Sequence, residues 1–204
     1  MNAITNIEPK HNIFNNRDLD GIKDYFNKDS KNIKATNHVI EIVADILEEI
    51  VKDNEKNNEN ESVATKSEIN DINESAIISV FSSNKTPQIS IKKYLTRIMK
   101  YSKPETSTVI ICLIYIDKIC ENSSLQLSIY NIHRIILSCM ILALKYNEDD
   151  YYSNKYYAKV VGIRLNELNE LEYNIMVLLQ FNFFIDNITY EKYQAHSMIL
   201  KNKI

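Results

Sequence analysis

The sequence predicts an all-α fold, and three observations carry that prediction. The 204 residues include only 2 Gly and 3 Pro, too few for hairpin-rich sheets or for the tight strand-to-helix turns of α/β folds. Apolar residues recur at three- and four-residue spacing in several separate runs. The longest run, SIYNIHRIILSCMILALKYNED (128–149), is apolar nearly all round from Ile132 to Leu144 and reads as the buried centre of a helical bundle.

Taken in order, residues 1–36 form a polar Asn-, Asp- and Lys-rich leader expected to be flexible. In NHVIEIVADILEEIVKD (37–53), Val39, Ile42, Val43, Ile46, Leu47, Ile50 and Val51 make an apolar face opposite Glu41, Asp45, Glu48 and Glu49. This amphipathic helix must dock, and its own domain is the favoured surface over a partner. Residues 54–75 have little to bury and read as a low-complexity linker or insertion. The organised domain spans 76–204. Ser90 suits the cap of a helix with the stripe Ile91, Tyr94, Leu95, Ile98 and Tyr101. Pro104 suits the start of a second helix to about residue 121. Ser128 is placed to cap the third, and a tyrosine-rich connection (148–157) leads to a short fourth that Gly162 can terminate. A fifth covers about 166–181, capped near Asn166 or Asn169, and the tail can supply one more short helix.

Composition excludes several functions. Residues 1–84 carry 9 Lys and Arg against 16 Asp and Glu, while 85–204 carry 15 against 11. That basic excess is too weak to announce nucleic acid. No run of the ~20 apolar residues needed to cross a bilayer is present, and nothing resembles a secretion signal, so a membrane role is not expected and the nucleus or cytoplasm is. Cys112, Cys120 and Cys139 lie in apolar helical runs without the close pairs of a zinc site. His11, His38, His133 and His196 occupy unrelated contexts, and the carboxylates Glu48–Glu49 and Glu148–Asp150 read as solvated helix ends. No catalytic residue, metal or cofactor is expected. The absence of a recurring repeat period argues against a solenoid scaffold.

Four charges stand inside the apolar patterns: Arg97, Asp117, Lys145 and Glu172. A buried ion without a partner costs several kcal/mol. An Arg97–Asp117 pair with Lys145 close to Asp117 is the simplest arrangement, although helices also carry charges that only face water. Lys145 and Glu172 are the better candidates for gripping another protein.

The segments FSSNKTPQISIKKYLTRIMKY (81–101), IYIDKIC (114–120), NIHRIILSCMILALKYNEDDYYSNKYYAKVVG (131–162) and LNELEYNIMVLLQFNFFI (168–185) resemble a cyclin box of the phosphate-system type, also called P-type or U-type. The helix at 37–53 is similar to the N-terminal helix of that subfamily. Val161 departs from the family's KVGG, and the residues after Phe184 leave no space for a second cyclin fold. The resemblance implies a five-helix cyclin box with an added N-terminal helix and a short C-terminal one. It also implies a non-catalytic subunit, monomeric without its partner, that activates a cyclin-dependent kinase related to the phosphate-pathway kinase. In that arrangement Lys145 and Glu172 bond backbone groups beside the kinase's PSTAIRE-like helix, Arg97 and Asp117 pair internally, and Leu142, Tyr146, Met176, Phe181 and Phe183 supply apolar contacts. A cyclin-like adaptor that binds without activating is the alternative.

Overall fold

A computed structural model describes residues 33–60 and 72–196 of the chain. They form α1 (Ile33–Asn60), α2 (Ile72–Val80), α3 (Ile91–Ser102), α4 (Thr106–Asn122), α5 (Ile132–Asn147), α6 (Asn154–Val161), α7 (Leu165–Leu178) and α8 (Asn187–His196). Among the described residues there is no strand, as the scarcity of turn residues predicts. Residues 1–32 of the leader and 61–71 of the linker lie outside the described part.

Because α5 is apolar on every side, it needs neighbours on every side. Each of its residues from Ile132 to Leu144 is buried except Arg134. α4 and α7 pack directly against it, and α3 touches it more lightly. Arg134 leaves the core sideways, donating to the Ser82 carbonyl at 2.8 Å and pairing with Glu167 of α7 at 2.6 Å.

α1 docks on its own domain. Ile40, Val43, Ala44, Ile46, Leu47 and Val51 are buried, the helix packs along α3, and Glu41 pairs with Lys92 at 2.6 Å. It runs past the expected 53 to Asn60, and the Asn54 amide donates to the Leu127 carbonyl at 3.0 Å. Between α1 and the bundle remains a cavity of about 20 Å³, lined by Ile40, Leu47, Leu95, Cys112 and Met140 among other apolar residues. A water needs two to four polar partners, so this void stays dry.

Several helix starts differ from expectation, one of them through a distant side chain. Ser90 caps α3 as predicted, accepting from the Lys93 amide, but Tyr101 is exposed rather than part of the buried stripe. α4 begins at Thr106, and its first amides look to α5: the Glu148 carboxylate accepts from the Glu105 amide at 2.8 Å and from the Thr108 hydroxyl. Glu148 is thus a cap and not merely a solvated helix end. α5 begins at Ile132 rather than Ser128, because Asn131 closes the turn, accepting from the Ser128 amide and donating to the Gln126 carbonyl. Arg164, and neither Asn166 nor Asn169, precedes α7. Gly162 ends α6 at φ 80°, with its own amide and that of Ile163 both donating to the Ala158 carbonyl. α2 was not foreseen; its Ile77, Ile78 and Val80 pack on the core, and Glu74 accepts from the Ser124 amide and hydroxyl.

The expected Arg97–Asp117 pair does not form. Arg97 shares a helix face with Lys93 and Lys100 and is exposed, whereas Asp117 is buried in α4, where the Tyr193 hydroxyl of α8 donates to it. Nor does Lys145 pair with Asp117; its ion pair is with Glu172. Rotation of α3 about its axis decides this, since burying Ile91, Tyr94, Leu95 and Ile98 turns Arg97 outward.

The free thiols follow the sequence reading. Cys112 and Cys139 are buried, Cys120 is half-buried, and burial pushes the Cys120 thiol up to about 12.

His133 is a buried group with one nitrogen engaged. Its Nε2 donates to the Ile89 carbonyl at 2.9 Å, leaving Nδ1 buried without a partner among the described residues, and its ring meets Tyr94 edge-on. Burial lowers its pKa from the ordinary 6.5, against the opposing effect of the Ile89 carbonyl. The unfolded chain therefore takes up this proton at a higher pH than the folded one. Stability is complete above about pH 6.5 and falls as pH drops from there to the lower folded pKa. The urea midpoint is expected to decline across that window, and His133→Gln should flatten the decline; an equal slope in the variant would assign the effect elsewhere. Removing the hydroxyl in Tyr193→Phe should destabilise the chain by roughly 1–3 kcal/mol in urea unfolding, because Asp117 loses a donor while staying buried.

Candidate functional site

Lys145 stands in the last turn of α5, where the helix leaves the core and where a cation complements the exposed carbonyl end. Its Nζ lies 2.6 Å from Glu172 Oε1, with the two side chains 28% and 12% exposed. The other carboxylate oxygen accepts from the Asn154 amide at 2.7 Å, and that amide also reaches Asn169 Oδ1 at 2.9 Å. Glu172 is thus fixed from α5 and from the first residue of α6. Lys145 uses one of its three donors on Glu172.

A cluster of aromatic side chains begins at the residue after Lys145. Tyr146 follows Lys145 and is 52% exposed; Phe181 and Phe184 are 57% and 68% exposed. Phe183 sits half-buried between Tyr146, at 5.9 Å between ring centres, and Phe181, at 6.2 Å. Tyr115 of α4 anchors the segment from beneath, donating its hydroxyl to the Phe183 carbonyl at 3.0 Å, while Lys118 donates to the Phe184 carbonyl at 2.8 Å. Burial raises the Tyr115 phenol, which keeps it a donor. The chain reaches this position through a left-handed turn at Gln180 and Phe181, whose amides donate to the Val177 and Met176 carbonyls. Met176 lies one turn beyond Glu172 on α7 and is half-buried.

Of the residues singled out from sequence, Lys145, Glu172, Tyr146, Met176, Phe181 and Phe183 therefore fall on one surface at the end of α5 and α7. Leu142 does not. It is 5% exposed inside the core and supports the surface from behind, because it lies one turn earlier, where α5 is still enclosed. Arg97 is elsewhere on α3, and Asp117 ties α4 to α8.

Sequence reasoning missed Asn154, Phe184 and the 58% exposed Tyr173 beside Glu172. A helical wheel of α7 could have shown Tyr173 on the outer face, whereas nothing local marks Asn154 as a partner of Glu172.

Chemically this surface offers a bonded pair of opposite charges beside a cluster of partly exposed rings, which suits recognition of a polypeptide. Among the described residues no group of three His, Cys, Asp or Glu side chains is placed to hold a metal, and no helix is long and apolar enough to cross a membrane.

Comparison with known proteins covers most of the described chain. The chain is 31% identical to Cyclin-U4-1 of Arabidopsis thaliana over 167 residues, covering 81% of this chain and 77% of that protein. It is 35% identical to Cyclin-U2-1 of the same plant over 118 residues, which are 57% of this chain and 53% of that one. It is 40% identical to the PHO85 cyclin-like protein psl1 of Schizosaccharomyces pombe over 123 residues, 59% of this chain and 49% of the other. The chain thus spans about half the length of several relatives it matches. The profile of the Cyclin family itself covers residues 37–183, from α1 through the aromatic segment after α7. With a family match that runs through the helix added at the N-terminus as well as through the helices around α5, the chain belongs to the cyclin family.

Proposed function

We propose that this chain is a regulatory subunit that binds and activates a cyclin-dependent protein kinase related to the phosphate-pathway kinase, in cell-cycle or phosphate-response control. The observation that carries the reading is the Lys145–Glu172 pair next to the ring cluster of Tyr146, Phe181 and Phe183. The similarity to a PHO85 cyclin-like protein supports it. The subunit acts wherever its kinase does, in the nucleus, the cytoplasm or both.

In this reading the kinase's PSTAIRE-like helix lies across the ends of α5 and α7. Lys145 donates to a backbone carbonyl beside that helix, and Glu172 accepts from a backbone amide. Both give up part of their mutual contact and gain charge-assisted bonds in a site from which the ring cluster helps exclude water. The helix is held inward, where its glutamate pairs with the lysine that positions ATP. Nothing in this mechanism requires the cyclin to supply a reacting group; it stabilises one of two arrangements of the kinase.

The test is capture of cyclin-dependent kinases of its own organism by the purified chain, followed by phosphorylation of a general substrate with and without it. Binding with a large gain in activity is expected. Binding without gain would replace the activator by an adaptor, and absence of binding to any of them would overturn the assignment.

Hydrogen bonds to charged groups contribute roughly 1.5–3 kcal/mol, so Lys145→Ala and Glu172→Ala should each weaken kinase binding by about tenfold or more. Both side chains lie at the rim of the core, and circular dichroism should show the helices retained. Phe183→Ala should weaken binding and also lower the unfolding midpoint, since its ring packs on Tyr115 as well as Tyr146. Unchanged kinase affinity in all three variants would move the interface off this surface.

A further inference from the structure

The outer face of α3 carries cations that form no ion pair among the described residues, although the acidic face of α1 lies along the same helix and pairs with Lys92. Lys93, Arg97 and Lys100 stand four and then three residues apart, which places them on one side of the helix, and Lys103 follows in the left-handed residue that ends it. Lys155 and Lys159 repeat the spacing on α6, which packs against α3 and is tied to it by the Tyr156 hydroxyl donating to the Tyr101 carbonyl at 3.0 Å. All six cations are exposed. Among the described residues none of the six makes an ion pair, although Lys92, Arg134 and Lys145 each find a carboxylate. Like charges four residues apart on a helix oppose its formation, so both spacings weaken the helices that carry them.

Rings lie beside these charges. Tyr101, Tyr151 and Tyr152 are about half exposed. Tyr152 stacks on Tyr156 with 4.2 Å between ring centres, and Lys100 sits 5.5 Å above the Tyr101 ring. Cations interleaved with tyrosines can meet carboxylates and, between them, the flat or aliphatic parts of an extended chain.

We infer that the outer faces of α3 and α6 form a docking surface for an acidic segment of a partner polypeptide. Charge decides the kind of occupant. The whole chain carries −3, with the negative excess in residues 1–84 and the positive excess in 85–204. A long polyanion such as a nucleic acid needs a continuous basic track, whereas a short acidic segment needs no more than the six cations. The surface is separate from the Lys145–Glu172 site but adjoins it, since α6 also carries Asn154, which holds Glu172. A protein docked here would lie beside whatever occupies that site. The surface itself does not depend on the kinase reading, and its test uses no kinase.

The measurement is fluorescence anisotropy of a labelled glutamate-rich peptide titrated with the full chain at low and at physiological salt. A peptide of the same length with alternating lysine and glutamate serves as control. Saturable binding of the acidic peptide, weakening with salt, is expected. The double reversals Arg97→Glu with Lys100→Glu, and Lys155→Glu with Lys159→Glu, should each reduce affinity by roughly tenfold. Lys52→Glu, an exposed charge on α1, should leave it unchanged. All the altered side chains are exposed, and unaltered circular dichroism will show that the fold persists. Absence of binding at low salt, equal binding of the control peptide, equal loss with Lys52→Glu, or tighter binding of a single-stranded oligonucleotide would each overturn the assignment.

Discussion

A helix with no polar side can exist in water only if other helices cover it, and α5 imposes that condition on the rest of the molecule. α4 and α7 lie directly on it, α3 closes a further side, and α1 seals the seam that α3 and α4 leave open. The same condition locates the candidate site. Burial along α5 stops after Leu144, so Lys145 is the first side chain past Leu144 that reaches solvent and Tyr146 the first that stands mostly outside. A cation and a ring emerge together at the mouth of an apolar bundle because the bundle ends there. Glu172 meets them because α7 lies alongside α5.

What keeps this surface in shape comes from farther away. α4 holds the strand of backbone after α7 through the Tyr115 hydroxyl and the Lys118 ammonium, and α8 is tied to the same helix through Tyr193 and Asp117. α6 reaches Glu172 through Asn154 and reaches α3 through Tyr156. The two surfaces argued for above therefore share a short helix. One presents a bonded pair of opposite charges beside rings, the other cations of a single sign.

Periodicity made most of this architecture legible. The unbroken apolar run of α5, the amphipathic stripe of α1, the serine before α3 and the glycine after α6 each act through neighbours in the sequence, and each was read correctly. The starts of α4 and α5 were misplaced because a distant carboxylate, Glu148, ties down the chain before α4 and Asn131 closes a turn before α5, while α7 began where expected without the asparagine cap. α2 was hidden because its first turn, residues 72–75, belongs to the polar stretch that reads as a linker. For the candidate site, Lys145 and Glu172 stood out as charges among apolar residues, and resemblance brought in the aromatic residues. Leu142 and Tyr146 lie four residues apart on one helix, and local pattern could not show that the core ends between them. The Arg97–Asp117 pairing failed for a related reason, since matching two charges requires the rotation of both helices.

Gln180 and Phe181 adopt φ values of 52° and 54°, a conformation that costs an L-residue of order 1–2 kcal/mol and costs glycine almost nothing. The backbone cost at residue 181 is nearly the same whether phenylalanine, leucine or lysine stands there. Exchange among such side chains leaves the turn's energy level while replacing one of the most prominent groups on the surface. The turn thus fixes the course of the backbone without fixing which side chain, unbranched at Cβ, it displays at 181; glycine there would relieve most of the cost, and a β-branched residue would raise it.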